Sequence, residues 1–397
     1  MSDRLGGYTP SLDVLWETEG NLPMHVLVAP GKFRTMVKAS ALADAIARGL
    51  KRAVPSLEVT LMPLPSAGLG SMDIVVRALG GRVRREQVLG PFGRPTEARW
   101  AMLPGRIAWI DAAEVIGLGL KTPHRDATRA SSRALGELLQ QVIRYQPEFC
   151  YVTMGDTIVN DGGIGLLEAF HVRFYDDQDN LIAPGTAGLE RLARIDFQDL
   201  TPPSIPMFGL YPQPYPASGD SGATIQFGME KGVPEFRIPL VDAAMQRYGE
   251  ILETHVSMPL TASPGAGAGG ALGLALGFLG AQLGPGVATV AQLLHLEQRA
   301  ASCDWVVTLD EHVDKMSRHG VAGEVARCAQ KVDRPVIVLT EAIGNGYEFL
   351  YDRNVWGIYP WLDRPRTPKE AVRSTTALVE QASFRVGMWM RRMDPRS

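Results

Sequence analysis

Residues 24–62 run MHVLVAPGKFRTMVKASALADAIARGLKRAVPSLEVTLM. Met24 to Ala29 is a short apolar run closed by Pro30, the pattern of a buried strand. From Ala39 to Ala53 the apolar residues Leu42, Ile46 and Leu50 recur at helical spacing, with Ser40 placed to cap the start. Leu57 to Met62 is a second apolar run, closed by Pro63 and Pro65. Strand, helix and strand in this order predict a parallel crossover unit.

The C-terminal part returns to the same pattern. Trp305 to Leu309 predicts a strand, Val321 to Gln330 a helix, and Pro335 to Thr340 and Trp356 to Tyr359 two more strands. A last helix is signalled by Thr367, Pro368 and Glu370 at its cap, first and third positions. The middle is different. Gly80 to Trp109 alternates extended segments with turns, a helix is expected at Ser132 to Tyr145, and a strand at Phe149 to Thr153. Asn160-Asp161-Gly162-Gly163 precedes a helix to Phe170, Pro202 to Pro216 reads as irregular, and Ile238 to Thr254 as a helix. A chain of 397 residues exceeds one ordinary core. The expected fold is therefore α/β. A Rossmann-like parallel-sheet domain comes from residues 24–85 and 290–397, residues 86–289 form an inserted second α/β domain, and residues 1–23 are an N-terminal extension. The cleft between the domains is the default ligand site.

A net charge of -3 argues against a nucleic-acid surface, which needs a basic excess, but leaves room for a local basic pocket. The three cysteines, Cys150, Cys303 and Cys328, lack C-x-x-C spacing and suit a reducing, cytoplasmic compartment as buried thiols. Met1 to Leu22 has no apolar signal-peptide core; Leu12, Leu15 and Trp16 are placed to dock on a body. Ser263 to Leu294 carries no charge, but Pro264, the glycines to Gly270 and Gly284-Pro285-Gly286 interrupt it. The helical piece, Gly270 to Leu283, is shorter than the roughly 20 residues a membrane span needs, so no membrane partner is expected.

Gly31-Lys32 imitates a phosphate-loop lysine, but Val26 stands where that loop needs glycine and Phe33 where it needs Ser or Thr. Gly265, Gly267 and Gly270 satisfy G-x-G-x-x-G, yet no acid follows until Glu297, so a dinucleotide fold is not supported. The loop is either a backbone phosphate cradle at a helix start or a close-packing device. Asp161 either holds a metal or takes a hydroxyl proton, or it caps an Asx-turn. Asp310, Glu311 and Asp314 follow a predicted strand, where they share a magnesium ion or form a solvated loop.

In order along the chain these segments resemble the bacterial two-domain glycerate kinase family. Val28-Ala29-Pro30-Gly31-Lys32-Phe33-Arg34 is similar to A-P-D-S-F-K, and Pro65 to Ser71 to A-D-G-G-E-G-T. Asp111 to Leu118 looks like A-x-x-x-G-L, and Ser131-Ser132 with Gly136-Glu137-Leu138 like T-S…G-E-L. Asn160 to Gly163 matches T-N-D-G-G, Phe227 to Gly232 resembles F-G-P-Q-K-G, Pro264 to Gly273 follows P-G-A-G-A-A-G-G-L-G, and Thr308 to Asp314 lies at T-G-E-G-x-L-D. The resemblance runs from about Met24 to about Leu362 and implies ATP and Mg2+ as cosubstrates with glycerate between the domains.

Carried over residue by residue, it implies Asp161 as base or metal ligand beside Asn160, and Arg34 and Lys231 as phosphate or carboxylate cations. It further implies Ser66, Ser131 and Ser132 as substrate contacts, Gly265, Gly267, Gly269 and Gly270 as the nucleotide phosphate loop, and Asp310 and Asp314 as metal ligands. Several family charges are replaced: its Asp by Gly31, its Lys by Arg34, and the Asp and Glu of A-D-G-G-E-G by Ser66 and Leu69. Two functions stay open. One is a kinase for the 2-hydroxyl of glycerate, giving 2-phosphoglycerate, or for a related small hydroxy acid. The other is an inactive paralogue that binds ligand, regulates or assembles. Self-association is compatible with either.

Overall fold

The computed structural model describes residues 23–33, 37–120 and 125–393. The docking expected of Leu12, Leu15 and Trp16 lies outside these residues. Two sheets carry the fold. The first is wholly parallel, in the order β13-β12-β11-β1-β2: β1 (His25–Val28), β2 (Glu58–Leu61), β11 (Trp305–Val313), β12 (Val336–Ile343) and β13 (Val355–Pro360). The second has the order β10-β9-β6-β5-β4-β3: β3 (Arg82–Leu89), β4 (Pro95–Leu103), β5 (Ile107–Asp111), β6 (Phe149–Thr153), β9 (Met207–Tyr211) and β10 (Gln282–Pro285). Its strands are parallel from β10 to β5, and β4 and β3 add an antiparallel edge. A hairpin of β7 (Arg173–Tyr175) and β8 (Arg194–Asp196) stands apart. The chain leaves the first sheet after β2, at Leu61, and re-enters it at β11, at Trp305.

Helices cover both faces of each sheet, which is why the strands read as apolar runs rather than alternating ones. On the outer face of the first sheet lie α1 (Ala39–Ala53) and α13 (Pro368–Met393), packed on Val26, Val28, Val307 and Leu339. Between the sheets lie α2 (Ser71–Leu79), α10 (Gly286–Leu293), α11 (Leu296–Ala301) and α12 (Val321–Lys331). They bury Leu27, Val306 and Val338 of one sheet and Leu103, Trp109 and Leu210 of the other. Beyond the second sheet lie α4 (Arg133–Ile143), α5 (Ile164–Ala169), α8 (Ile238–Val256) and α9 (Ala268–Phe278), with the short α3 (Ala113–Ile116), α6 (Thr186–Leu189) and α7 (Ala223–Phe227) around them. The result is a layered α-β-α-β-α body.

The sequence expectations differ from this in three places. Ser40 sits inside the first turn of α1; Lys38 occupies the cap position, without a side-chain bond. The proline-rich stretch expected to be irregular contains β9, a central strand, because Pro206 and Pro212 bracket it rather than interrupt its ladder. The uncharged stretch is not one helix: α9 ends at Phe278, and Gln282–Pro285 becomes the edge strand β10. None of the described helices is long and apolar enough to cross a membrane. All three cysteines are free and buried. Thr367 and Glu370 do form the expected reciprocal cap of α13.

Helices α1 and α13 meet where Gly49 leaves room: a Cβ there would lie 2.7 Å from the Ser383 Cβ and would collide with the Glu380 carbonyl. Gly49→Leu is expected to lower stability by about 1–3 kcal/mol by forcing the helices apart. A urea melt checks this: the midpoint falls while the slope stays unchanged.

Candidate functional site

The loops at the carboxyl ends of both sheets meet, and charged side chains tie them together. Asp111 ends β5 and is fully buried. It accepts hydrogen bonds from the Trp109 indole at 3.0 Å and the Thr153 hydroxyl at 3.0 Å within its own sheet. It also accepts the backbone N–H groups of Gly70 and Met72 at 3.0 Å, from the start of α2. Burial pushes its pKa up to about 6, and these donors hold it below what burial alone would give. A second tie lies beside it. Asp156, after β6, pairs with Lys32, after β1, and accepts the Leu69 N–H at 2.8 Å. The Gly155 N–H donates to the Ala67 carbonyl at 2.8 Å. Asp156 and Ala67 hold left-handed backbone, φ 61° and 56°, a costly conformation for residues with a Cβ. Gly68 must lack one, because a Cβ would strike the Asp156 carboxylate.

The sequence pointed to Asp161, and the structure places it as a cap. Its carboxylate accepts the Ser132 N–H at 2.8 Å and hydroxyl at 2.9 Å, and the Gly163 N–H at 3.1 Å. Ser132 in turn accepts the Leu166 N–H at 3.0 Å, so the pair fixes the starts of α4 and α5 together. Burial raises the Asp161 pKa, and the donors oppose it. Ser131 caps locally, accepting the Arg133 N–H at 3.2 Å. Asn160 is buried and donates to the Thr224 hydroxyl at 2.9 Å; its Oδ1 has no donor among the described residues. Lys231, also buried, donates to the Val159 carbonyl at 2.8 Å, and burial pushes its pKa down to about 8. Ser66 is half-buried on the loop after β2. Arg34 lies outside the described residues.

The glycine loop is packed closely against neighbouring backbone. Gly265, Gly267 and Gly270 are buried and Gly269 half-buried. Gly267 lies against the Pro216 carbonyl and Gly270 against that of Val159, while the Gly162 N–H donates to the Gly270 carbonyl at 3.1 Å. The glycines seat the 154–163 loop, the close-packing alternative. Asp310 and Asp314 both accept backbone N–H groups at helix or turn starts. Asp310 accepts the Glu311 and Ala322 N–H groups, both at 3.1 Å, and burial lifts its pKa to about 6. Asp314 forms a capping box with Ser317, accepting the Met316 N–H at 2.8 Å. The donor atoms that do cluster are those of Glu311, His312 and Glu341, all within 4.8 Å of one another. Two carboxylates at the strand ends fit a divalent ion completed by water and phosphate oxygens.

Sequence reading missed the partners of the junction. Lys32 falls in the failed phosphate-loop pattern, and Asp156 carries no motif of its own. Beside this pair opens a cavity of about 670 Å³, walled by Lys32, Lys38, Leu69, Ile74, Arg77 and Arg99 among others.

The model of the glycerate kinase family matches residues 26–391. The glycerate 2-kinase of Escherichia coli K12 is 30% identical over 366 residues, 91% of this chain and 96% of that protein. The glycerate kinase of Halalkalibacterium halodurans is 29% identical over 369 residues, 91% of this chain and 97% of its own. A crystal structure from Salmonella typhimurium LT2, assigned provisionally to glycerate kinase 2, superposes with a TM-score of 0.72 at 28% identity, covering 94% of this chain and 99% of that one.

Asp111→Ala would strand the Trp109, Gly70 and Met72 donors, and a loss of more than about 3 kcal/mol is expected in a denaturant melt. Asp111 and Asp310 also set a pH dependence. Their folded pKa values, about 6, exceed the ordinary 3.8, so between these values the folded chain binds more protons than the unfolded one. Their contribution makes stability fall as pH rises across that window. Melting of Asp310→Asn from pH 4 to 7 is expected to lack its share of this fall relative to wild type.

Proposed function

The chain belongs to the glycerate kinase family, and from that premise we propose that it transfers the terminal phosphoryl group of ATP to the 2-hydroxyl of glycerate, giving 2-phosphoglycerate. The observation that carries the reading is the junction itself. The family match spans both sheets, and their carboxyl-end loops meet where open α/β sheets bind ligands. Phosphoryl transfer is mostly positioning and charge stabilisation. Lys231, buried with a pKa of about 8, presents a cation that donates to the Val159 carbonyl and the Thr157 hydroxyl. Asn160 stands beside it. Asp161 acts through others: with Ser132 it fixes the loop that carries Asn160. Magnesium, bound with the nucleotide, would neutralise phosphate charge, and Glu311 and Glu341 with His312 are the residues that would hold it. The reaction fits the cytoplasm, where free buried thiols persist.

A second reading has a specific observation behind it. The carboxylates of Asp161, Asp310 and Asp314 are all engaged as caps, and Gly31, Ser66 and Leu69 stand where the family pattern carries acids. That combination suits a protein that binds ligand without turning it over. Purified chain with magnesium-ATP and D-glycerate, coupled to enolase, separates the two. The kinase reading expects turnover, reduced about tenfold or more in Lys231→Met. Ligand binding without turnover would favour the second reading, and absence of both binding and turnover would contradict each.

A further inference from the structure

Two arginines from different loops converge on one buried ring. Arg318 lies in the turn Lys315–His319 that follows β11, and Arg353 ends the turn Glu348–Arg353 between β12 and β13. The buried Phe349 ring has the Arg318 guanidinium carbon 4.5 Å and that of Arg353 5.2 Å from its centroid. A guanidinium stacked on a ring is held by that contact, and its N–H edges stay open to an oxyanion. Arg353 uses one donor on the Gly323 carbonyl at 3.2 Å. Arg318 makes no hydrogen bond or ion pair among the described residues. His319 stands beside them. Burial, and then Arg318 and Arg353, hold its pKa below the ordinary value, so at neutral pH it is an uncharged N–H donor.

The positive charge here has no counter-ion of its own. Burial lowers the Arg353 pKa, and Arg318 and Arg327 lower it further; the acid that opposes them is Glu324. Both Glu324 oxygens already accept from Arg327, at 2.8 and 2.5 Å. Glu348 and Asp352, on the same turn as Arg353, are exposed and pair with neither arginine among the described residues. Like charges gathered in this way repel one another, and a bound anion removes that cost. We propose that Arg318, His319 and Arg353 bind a phosphate-type oxyanion, free phosphate or a small phosphomonoester, whose oxygens accept from the two guanidinium edges and the imidazole. Guanidinium edges match phosphate in both charge and geometry. The anion bridges the loops that follow two neighbouring strands. The first loop is tied to the Glu311–His312–Glu341 group, because the Ser317 hydroxyl donates to the His312 carbonyl at 3.0 Å. Occupancy therefore clamps the carboxyl ends of β11 and β12, which carry that group. None of the three residues takes part in the hydrogen bonds of the junction, and the inference does not depend on whether the chain turns over glycerate.

Calorimetry on the full chain at constant ionic strength tests it, with inorganic phosphate, 2-phosphoglycerate and D-glycerate as probes. The wild-type chain is expected to bind phosphate, and Arg318→Met and Arg353→Met each to weaken it about tenfold or more, the loss of a charge-assisted contact. Arg318→Lys should restore little, since an ammonium keeps the charge but not the stacked fork. D-glycerate, which lacks phosphate, should bind both methionine variants as it binds wild type. Thermal melts establish that each variant is folded, and Arg318, with no hydrogen bond to lose, is the cleaner of the two sites. Hydrogen exchange with phosphate present should slow in residues 315–319 and 348–353. If 2-phosphoglycerate shows the same losses, the site takes a phosphomonoester; if phosphate alone shows them, it takes the free anion. The proposal falls if wild type binds no phosphate, or if Arg318→Met leaves phosphate binding unchanged. It falls equally if Arg318→Lys restores it fully, which would mark a diffuse charge patch, or if Arg318→Met weakens D-glycerate as much as phosphate.

Discussion

Asp111 is a buried carboxylate at the end of a strand in one sheet, and half of its hydrogen-bond donors come from a helix on the other side of the junction. Much of the local structure follows from that arrangement. The Gly70 and Met72 N–H groups fix the start of α2 over the end of β5. The path of residues 65–70 is then constrained, which seats Ala67 on Gly155 and Leu69 on Asp156. A buried charge is tolerated only where donors surround it. Asp111 has such a shell, and burial still lifts its pKa to about 6. The two sheets are thus joined by polar contacts whose geometry is directional, not by apolar packing alone.

The same economy of polar groups explains why several acids that look reactive in sequence are structural. Parallel α/β units put a helix start after each strand, and the free N–H groups there need acceptors. Asp161, Asp310 and Asp314 meet that need for α4 and α5, for α12, and for the turn after β11. The glycine loop likewise serves packing, since Gly270 can approach Val159 only without a side chain. Charges at the junction and its margins include Lys32 with Asp156, Lys231, and the Glu311–His312–Glu341 group.

Much of the fold was legible in the sequence because its parallel units are local. Residues 24–62 and 305–340 announce their strands and helices through apolar runs and periodicity, and both belong to the parallel sheet. β9 was not legible, because its flanking prolines read as irregular chain although they only bracket it. The resemblance points to Asn160, Asp161 and Lys231, but not to the hydrogen bonds each of them makes. Whether Asp161 caps a helix or faces a ligand depends on Ser132, 29 residues away. Lys32 and Asp156 lie 124 residues apart, and nothing local in either segment signals the pairing. Long-range polar contacts carry no periodicity, so they surface only once the sheets are assembled.

Hydrogen–deuterium exchange of the full chain, with and without magnesium-ATP and D-glycerate together, addresses the claim that ligands bind where the two sheets' carboxyl ends meet. The account predicts slowed exchange in residues 29–33, 65–74 and 154–160, the loops tied by Lys32, Asp111 and Asp156. Protection confined to other segments, such as the exposed face of α8, or no protection at ligand concentrations that saturate binding, would contradict it.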